Sequence, residues 1–381
     1  MLKILYFIPQ LDTGGTERLV FDLCRLSDAG AFSPVVCAFH SGAYEQQLRD
    51  RGIPVHVLVG ATRLSVNRGV VTKVRDYWDR VEALDNILRT EQIDIINSHH
   101  LGTLVHLLFS RERRRRVWMH TEHIRPDTEY AGSSMLKVAS LLYNLPNVIT
   151  GVSAAVIDYY QKTLGIAAKK TRLVLNGVNV AAFSKQVDTV RKRHELGIMA
   201  SDIVIGTMAN LRRQKNHKNL LSAFALMRQQ LPNLKLLLAG EGECRGELEE
   251  QTRNLGIDDG VTFLGHRTDA EELMAVLDIY CLPSFYEGMP LSIMEAWAAG
   301  RPVVATDVLG IREIVNHEVN GILVPGDNPE ALATALVRVI TDHSLRTLLA
   351  EKGRTLAHEE CTIEQMIKKY EHLYLELADR R

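Results

Sequence analysis

The chain has 381 residues, 46% of them apolar and 24% charged, which is ordinary globular composition and a length better suited to two α/β domains than to one core. A formal net charge of −1 supplies no global field for nucleic acid or an anionic membrane. The five cysteines, odd in number and without a C-x-x-C pair, argue against a disulfide framework or a zinc knuckle and point to a reducing, cytoplasmic compartment.

The N-terminal run Met1–Pro9 has no basic leader and no small-residue cleavage site, so it reads as a buried first strand, not a signal peptide. After it, Thr16–Leu26 places Leu19, Val20, Leu23 and Cys24 on one helical face. Further strands are predicted at Val35–Phe39, Val55–Val59, Ile93–Asn97, Val117–Thr121 and Val148–Val152. Several are continuously apolar, as parallel strands covered on both faces are. No stretch approaches the ~20 apolar residues of a membrane span. The longest candidate, Val138–Val152, is broken by Ser140, Asn144, Pro146 and Asn147. Within this half, Arg111–Arg116 holds five arginines and Glu112. It reads as a solvated loop, with a peripheral contact to phospholipid headgroups or an anionic acceptor as the sharper alternative.

The Asn176-Gly177 turn and the polar stretch to Arg193 mark a boundary, after which the β-α alternation resumes. Strands are predicted at Ile203–Ala209, Leu234–Ala239, Val261–Leu264, Ile279–Leu282, Val303–Thr306 and Ile322–Val324. The closing segment carries Ile363, Met366, Ile367, Tyr370, Leu373, Tyr374 and Leu377 at helical spacing, an amphipathic helix that must cover something. The division expected is therefore residues 1–180, residues 190–361, and a helix at 362–381. Repeated β-α-β units imply open parallel sheets.

The segment Pro283–Pro302 is the richest in chemistry. It leaves the strand Ile279–Leu282, passes Glu287 and Gly288, enters a helix near Pro290 and leaves it at Gly300. That puts Glu287 on a loop at the carboxyl edge of a sheet, where open α/β sheets bind ligands, and Glu295 on the helix behind. Amides around Gly288, Met289, Pro290 and Leu291 can receive phosphate oxygens, helped by the helix dipole. Two carboxylates would repel a phosphate, so they should face hydroxyls: Glu295 a ribose diol, Glu287 a sugar.

This segment, E-G-M-P-L-S-I-M-E-A-W-A-A-G-R-P-V, resembles the E-x7-E signature of the retaining family 4 glycosyltransferases, and the resemblance extends over nearly the whole chain. It implies the GT-B fold: two Rossmann-like domains facing across a cleft, residues 1–180 on the acceptor side, residues 190–361 holding a nucleotide-sugar donor, and the terminal helix crossing back onto the first. Gly14 and Gly15 resemble the family's Gly-Gly loop, whose bare backbone approaches the donor; the segment lacks G-x-G-x-x-G, so a dinucleotide fingerprint is not supported. Asn210–Lys215 resembles the R-x4-K phosphate clamp. Lys215 matches the lysine, Asn210 stands in the arginine position, and Arg212 is the candidate for the missing guanidinium. Gly242, and the backbone near His266 and Arg267, resemble the walls around the base. His123 best matches a histidine that reaches the donor sugar, with His120 second; both compete with a role as satisfied, partly buried histidines. His99 ends a strand and is structural or part of the acceptor wall. Gly310–Pro325 reads as scaffold.

The function implied is metal-independent, retaining transfer from a nucleotide diphosphate sugar, UDP first and GDP next, to a hydroxyl of a glycan or lipid-linked acceptor in surface polysaccharide or glycoconjugate synthesis. Glu287, His123, Lys215 and Arg212 would carry the chemistry, without a cofactor. No nucleic-acid partner is expected, and the location is cytoplasmic or peripheral on the inner membrane face. Three readings compete. They are a nucleotide-sugar epimerase on the same scaffold, an inactive nucleotide-sugar-binding subunit, which Asn210 keeps open, and a nicotinamide dehydrogenase, which the missing glycine fingerprint disfavours.

Overall fold

A computed structural model describes residues 1–12, 14–58, 70–124 and 133–379. It divides into two compact units. One comprises Met1–Asn176 with Glu364–Arg381, the other Gly177–Ile363. Residues 180–195, in the stretch that reads as a connection, hold two short helices of the second unit.

The first unit runs β1 (Leu2–Gln10), α1 (Gly15–Leu26), β2 (Phe32–His40), α2 (Ala43–Arg49), β3 (Val55–Val57), α3 (Val70–Thr90), β4 (Ile95–His99), α4 (Leu101–Phe109), β5 (Val117–Glu122), α5 (Ser133–Tyr143), β6 (Val148–Gly151), α6 (Ala154–Lys162) and β7 (Thr171–Leu173). Val59, the predicted end of the third strand, lies outside the described residues. The seven strands are parallel, in the order β3-β2-β1-β4-β5-β6-β7. The apolar runs are buried as expected: residues Ile4–Ile8 of β1 and Val35–Ala38 of β2 are 0–1% exposed. One sheet face packs Leu5, Phe7, Cys37, Ile96 and Trp118 against Leu84, Leu104 and Tyr160.

The second unit runs α7 (Val180–Phe183), α8 (Thr189–Glu195), β8 (Ile203–Met208), α9 (His217–Arg228), β9 (Leu234–Ala239), α10 (Arg245–Asn254), β10 (Val261–Gly265), α11 (Ala270–Val276), β11 (Ile279–Leu282), α12 (Leu291–Ala298), β12 (Val303–Thr306), α13 (Leu309–Arg312), β13 (Ile322–Val324), α14 (Pro329–Thr341) and α15 (His343–Glu360). Its six parallel strands are ordered β10-β9-β8-β11-β12-β13. The helix that follows, α16 (Ile363–Ala378), returns to the first unit; residues 380–381 of the predicted terminal helix lie outside the described residues.

α16 packs, with α1, on the remaining face of the seven-stranded sheet, over a polar network. Tyr374 Oη donates to Tyr6 Oη (3.2 Å) and accepts from Asn97 Nδ2 (3.0 Å). Thr121 donates to Asn97 Oδ1 at 2.8 Å. All four side chains are buried, so the two bonds of Tyr374 fix the helix in one register, since a slip would leave polar atoms unpaired in an apolar setting. Among the described residues, no helix is long and apolar enough to cross a membrane.

Candidate active site

In each sheet the strand order reverses once, between β1 and β4 in the first unit and between β8 and β11 in the second. Loops leaving the carboxyl ends of strands on either side of such a reversal part, and ligands bind in the crevice. Gly14, His99, Lys215 and Glu287 lie at these two places and His123 beside them, whereas Gly242 follows β9, His266 and Arg267 follow the edge strand β10, and His120 lies within β5.

In the second unit the crevice is ionic. Lys215 follows β8 and Glu287 follows β11. They are 72 residues apart in sequence, yet Lys215 Nζ lies 2.6 Å from Glu287 Oε1. The same oxygen accepts from the Ser284 hydroxyl at 2.6 Å. Both charged side chains are largely sequestered, at 19% and 6% exposure, and Ser284 is fully buried. Gln214 ties the two loops together: its carbonyl accepts from Phe285 N (2.8 Å) and its amide donates to the Tyr286 carbonyl (2.9 Å). Arg212 is exposed and has no ion-pair partner among the described residues.

The helix behind Glu287 is α12. Pro290 is its N-cap, one residue earlier than the predicted first-turn position. Its C-terminus closes as expected at Gly300 (φ 69°), with Gly300 N donating to Trp297 O and Arg301 N to Ala296 O, both at 2.8 Å. This is the paired-bond ending that a residue at positive φ permits. Glu295 is half-buried on this helix. Gly310, read from sequence as scaffold, lies against the site: a Cβ there would overlap the carbonyl oxygens of Glu287 and Gly288.

The neighbouring turns close on the loop after β8. Leu211 N donates to Glu241 O (2.9 Å), and a Cβ at Gly240 or Gly242 would overlap the carbonyls of Ala209 or Leu211. His266 is exposed. Arg267 is committed elsewhere. Its guanidinium grips Asp269 at 2.8 and 2.6 Å, and Lys192 pairs with the same carboxylate. The hydrogen bonds from Arg267, with those from Lys192, hold Asp269 well below the ordinary carboxylate range. This segment therefore offers a ligand its backbone, not the Arg267 charge.

In the first unit the crevice is built of histidines. Gly14 caps α1 in extended backbone (φ −151°), a conformation open to any residue, and a Cβ there would meet the Glu17 carboxylate. Thr16 Oγ1 approaches His100 Nε2 at 3.4 Å, joining the segment after β1 to the end of β4. His100 has φ 68° and ψ 149°, a conformation rare outside glycine that concentrates at functional sites. His99 Nδ1 lies 2.9 Å from His123 Nε2, and His100 stacks on His123 with centroids 6.0 Å apart. Burial pushes His123 down to about 3 and His99 well below its ordinary value, so both rings are neutral at physiological pH. Neither His99 nor His100 was separable from a structural residue by spacing; the positive φ and the contacts to Thr16 and His123 single them out.

His120 belongs to a different, structural network. Its Nδ1 meets Ser98 Oγ (2.7 Å) and its Nε2 meets Glu122 Oε1 (2.8 Å), while Tyr143 donates to that oxygen and Trp118 to Ser98. Burial works to raise Glu122, but the hydrogen bonds from His120 and Tyr143 and the nearby histidine charges together outweigh it and keep the carboxyl below its ordinary range. The arginine run is likewise half structural. Arg113 packs over Trp118, and Arg116 binds Glu112 and the Leu88 carbonyl. Arg111, Arg114 and Arg115 face outward.

Two parallel doubly wound units in tandem, with a Lys–Glu contact at the second reversal and Glu295 eight residues on, define the class of GT-B glycosyltransferases. The sequence matches the family described as Glycosyltransferase Family 4 over residues 13–182, and the Glycosyl transferases group 1 family over residues 202–342. It is 30% identical to the D-inositol 3-phosphate glycosyltransferase of Corynebacterium urealyticum over 74% of this chain and 72% of that one. It is 26% identical to the N-acetyl-alpha-D-glucosaminyl L-malate synthase of Bacillus anthracis, over 76% and 77%. Among solved structures, HepE from Anabaena in complex with UDP-glucose superposes with a TM-score of 0.85 at 25% identity, covering 99% of this chain and 100% of that one. The chain belongs to the family 4 glycosyltransferases.

Proposed function

We propose that the protein transfers a sugar, with retention of anomeric configuration, from a nucleotide diphosphate donor to an acceptor hydroxyl on a glycan or lipid-linked glycan. UDP is the first choice of carrier and GDP the second. The observation that carries this reading is the Lys215–Glu287 contact at the β8/β11 reversal, fixed by Ser284. The HepE complex with UDP-glucose supports the choice of UDP.

In this reading the bond between the anomeric carbon and the diphosphate oxygen breaks as the acceptor oxygen forms its bond on the same face. The acceptor proton passes to the departing phosphate oxygen. Negative charge grows on the diphosphate, and Lys215 with the exposed Arg212 stabilises it. Glu287 accepts from a donor-sugar hydroxyl and His123 contacts the sugar. Glu295 accepts from the ribose diol, the amides of Gly288, Met289 and Leu291 beside Pro290 take phosphate oxygens, and backbone near Gly242, His266 and Arg267 lines the base. In this reading Lys215 and Arg212 supply the positive charge that a metal would otherwise bring, so turnover should survive EDTA. Arg111, Arg114 and Arg115 are offered as a contact to anionic headgroups.

A thermal-shift panel of UDP, GDP, ADP and TDP without metal tests the donor assignment. A ligand at a hundred times its Kd stabilises by about 2.7 kcal/mol, which is readily seen. A selective shift with UDP followed by donor-dependent transfer is the expected result. No shift with any nucleotide would overturn the reading. Nucleotide binding with no transfer would favour the inactive subunit, to which Asn210 points, and donor isomerisation without an acceptor would favour the epimerase.

A further inference from the structure

The pair His99–His123 has a direction that its surroundings decide. One ring must donate and the other accept across the 2.9 Å contact between His99 Nδ1 and His123 Nε2. If His123 donated from Nε2, neutral His99 would carry its proton on Nε2. That atom is buried and has no hydrogen-bond partner, so an N–H would be stranded in an apolar setting. A protonated His99 or His123 strands the same N–H. Buried unpaired N–H groups are rarer in folded proteins than under-satisfied acceptors. The arrangement that avoids one puts the His99 proton on Nδ1, donating to His123 Nε2, and leaves His99 Nε2 as a bare lone pair. Neutral His123 must then carry its own proton on Nδ1. That nitrogen has no partner among the described residues and is not among the buried unpaired atoms.

We propose that His99 is a positioning residue that fixes His123 as the Nδ1–H tautomer, so that His123 meets its ligand as a neutral hydrogen-bond donor to a sugar hydroxyl oxygen. This deepens the reading of His123 as a sugar contact and rests on it. The strained backbone at His100, between the end of β4 and α4, anchors the same cluster and stacks on the His123 ring. A donor fixed in this way selects an oxygen whose lone pair faces it and cannot remove a proton from that oxygen.

The test reads the tautomer directly. In the full chain labelled with 15N-histidine, long-range proton–nitrogen spectra should show His123 protonated on Nδ1 and bare on Nε2. Protonation on Nε2 in the unaltered protein would overturn the proposal. Two variants then separate positioning from packing. His99→Asn places an amide donor where Nδ1 stood and should keep the His123 tautomer and kcat within about threefold. His99→Asp offers only an acceptor, should move the His123 proton to Nε2, and should lower kcat about tenfold while the Kd for UDP is unchanged. Should the aspartate variant fail to fold, His99→Ala removes the donor and serves for the activity comparison. If His99→Asn loses as much activity as His99→Ala while keeping its fold, His99 does not act through its donor. A wild-type chain with the Nδ1–H tautomer but no glycosyl transfer would instead reject the functional reading and leave the tautomer assignment standing.

Discussion

The two strand-order reversals solve one problem, holding polar groups at the mouth of an apolar sheet, with opposite electrostatics. In the second unit an ammonium and a carboxylate meet at 2.6 Å, a hydroxyl steadies the carboxylate, and both charges keep some contact with solvent. In the first unit neutral imidazoles pack ring on ring, and burial suppresses their charge. An ionic site responds to changes of charge and can stabilise a leaving anion. A neutral site selects by the direction of its hydrogen bonds. In the proposed function, leaving-group stabilisation falls to the β8/β11 reversal, where Glu287 also holds a sugar hydroxyl, and the β1/β4 reversal adds a directional sugar contact.

The strongest way to break this contrast is at Glu287. Glu287→Gln keeps shape but removes the charge that faces Lys215, and kcat should fall about a thousandfold with little loss of Tm. Near-normal turnover would show that the carboxylate is a bystander. Lys215→Ala should cost about a hundredfold or more in kcat, and more than Arg212→Ala, because only Lys215 is already anchored on the site. Equal losses would mean that the two cations share the leaving group evenly. Gly310→Ala forces a methyl against the carbonyls of Glu287 and Gly288, and a loop displaced by about 1 Å should cost about a hundredfold in kcat/KM. Ser284→Ala removes one hydrogen bond from Glu287 and should cost about tenfold. Combined with Glu287→Gln it should add nothing further; multiplicative losses would assign Ser284 to packing alone.

The neutral site is tested by acid. His123 stays unprotonated in the folded chain down to about 3, whereas an unfolded histidine titrates near 6.5. Below about 6.5 the unfolded chain therefore binds a proton that the folded chain refuses, and stability falls as pH drops toward the folded-state value. Each such histidine contributes a slope of about 1.4 kcal/mol per pH unit in that window. His217, lowered by burial to about 4, contributes in the same sense from the second unit. Denaturant melts between pH 7 and 5 should show this loss, and His123→Asn should make the slope shallower by one histidine's share. An unchanged slope in that variant would place the buried ring's titration elsewhere.

Much of the fold was legible because parallel strands are written as continuous apolar runs. Leu234–Ala239, Val303–Thr306 and Ile322–Val324 fall where the runs predict. Boundaries slipped where turns compete: β4 begins at Ile95, two residues beyond the apolar onset at Ile93, because Ile93 N donates to Leu88 O in the turn closing α3. The edge strand Thr171–Leu173 has only three residues and no pattern to announce it. Glu287 was placed from the strand–loop–helix pattern of its own segment, and Lys215 from the resemblance of its segment to the family's phosphate clamp. Their mutual contact, and the approach of Gly310 to the Glu287 peptide, join segments brought together only by folding. The sequence marked His99 only as a strand-ending residue and did not mark His100, since their meaning comes from a ring 23 or 24 residues away in sequence and a threonine 84 residues before His100.

The return of α16 to the first unit has a consequence for synthesis. Tyr374 completes a network with Tyr6 and Asn97, but it is made after every residue of the second unit. At ~5–20 residues per second, residues 177–363 take about 10 to 40 s to emerge, and for that time the nascent first sheet waits on the ribosome with one face unfinished. The centre of that face is Asn97, Thr121 and Thr150, side chains that water can satisfy. A polar centre under a late-arriving helix leaves the waiting sheet less adhesive than an all-aliphatic face would be, and it makes the second unit's passage through the ribosome a timed step in the folding of the first.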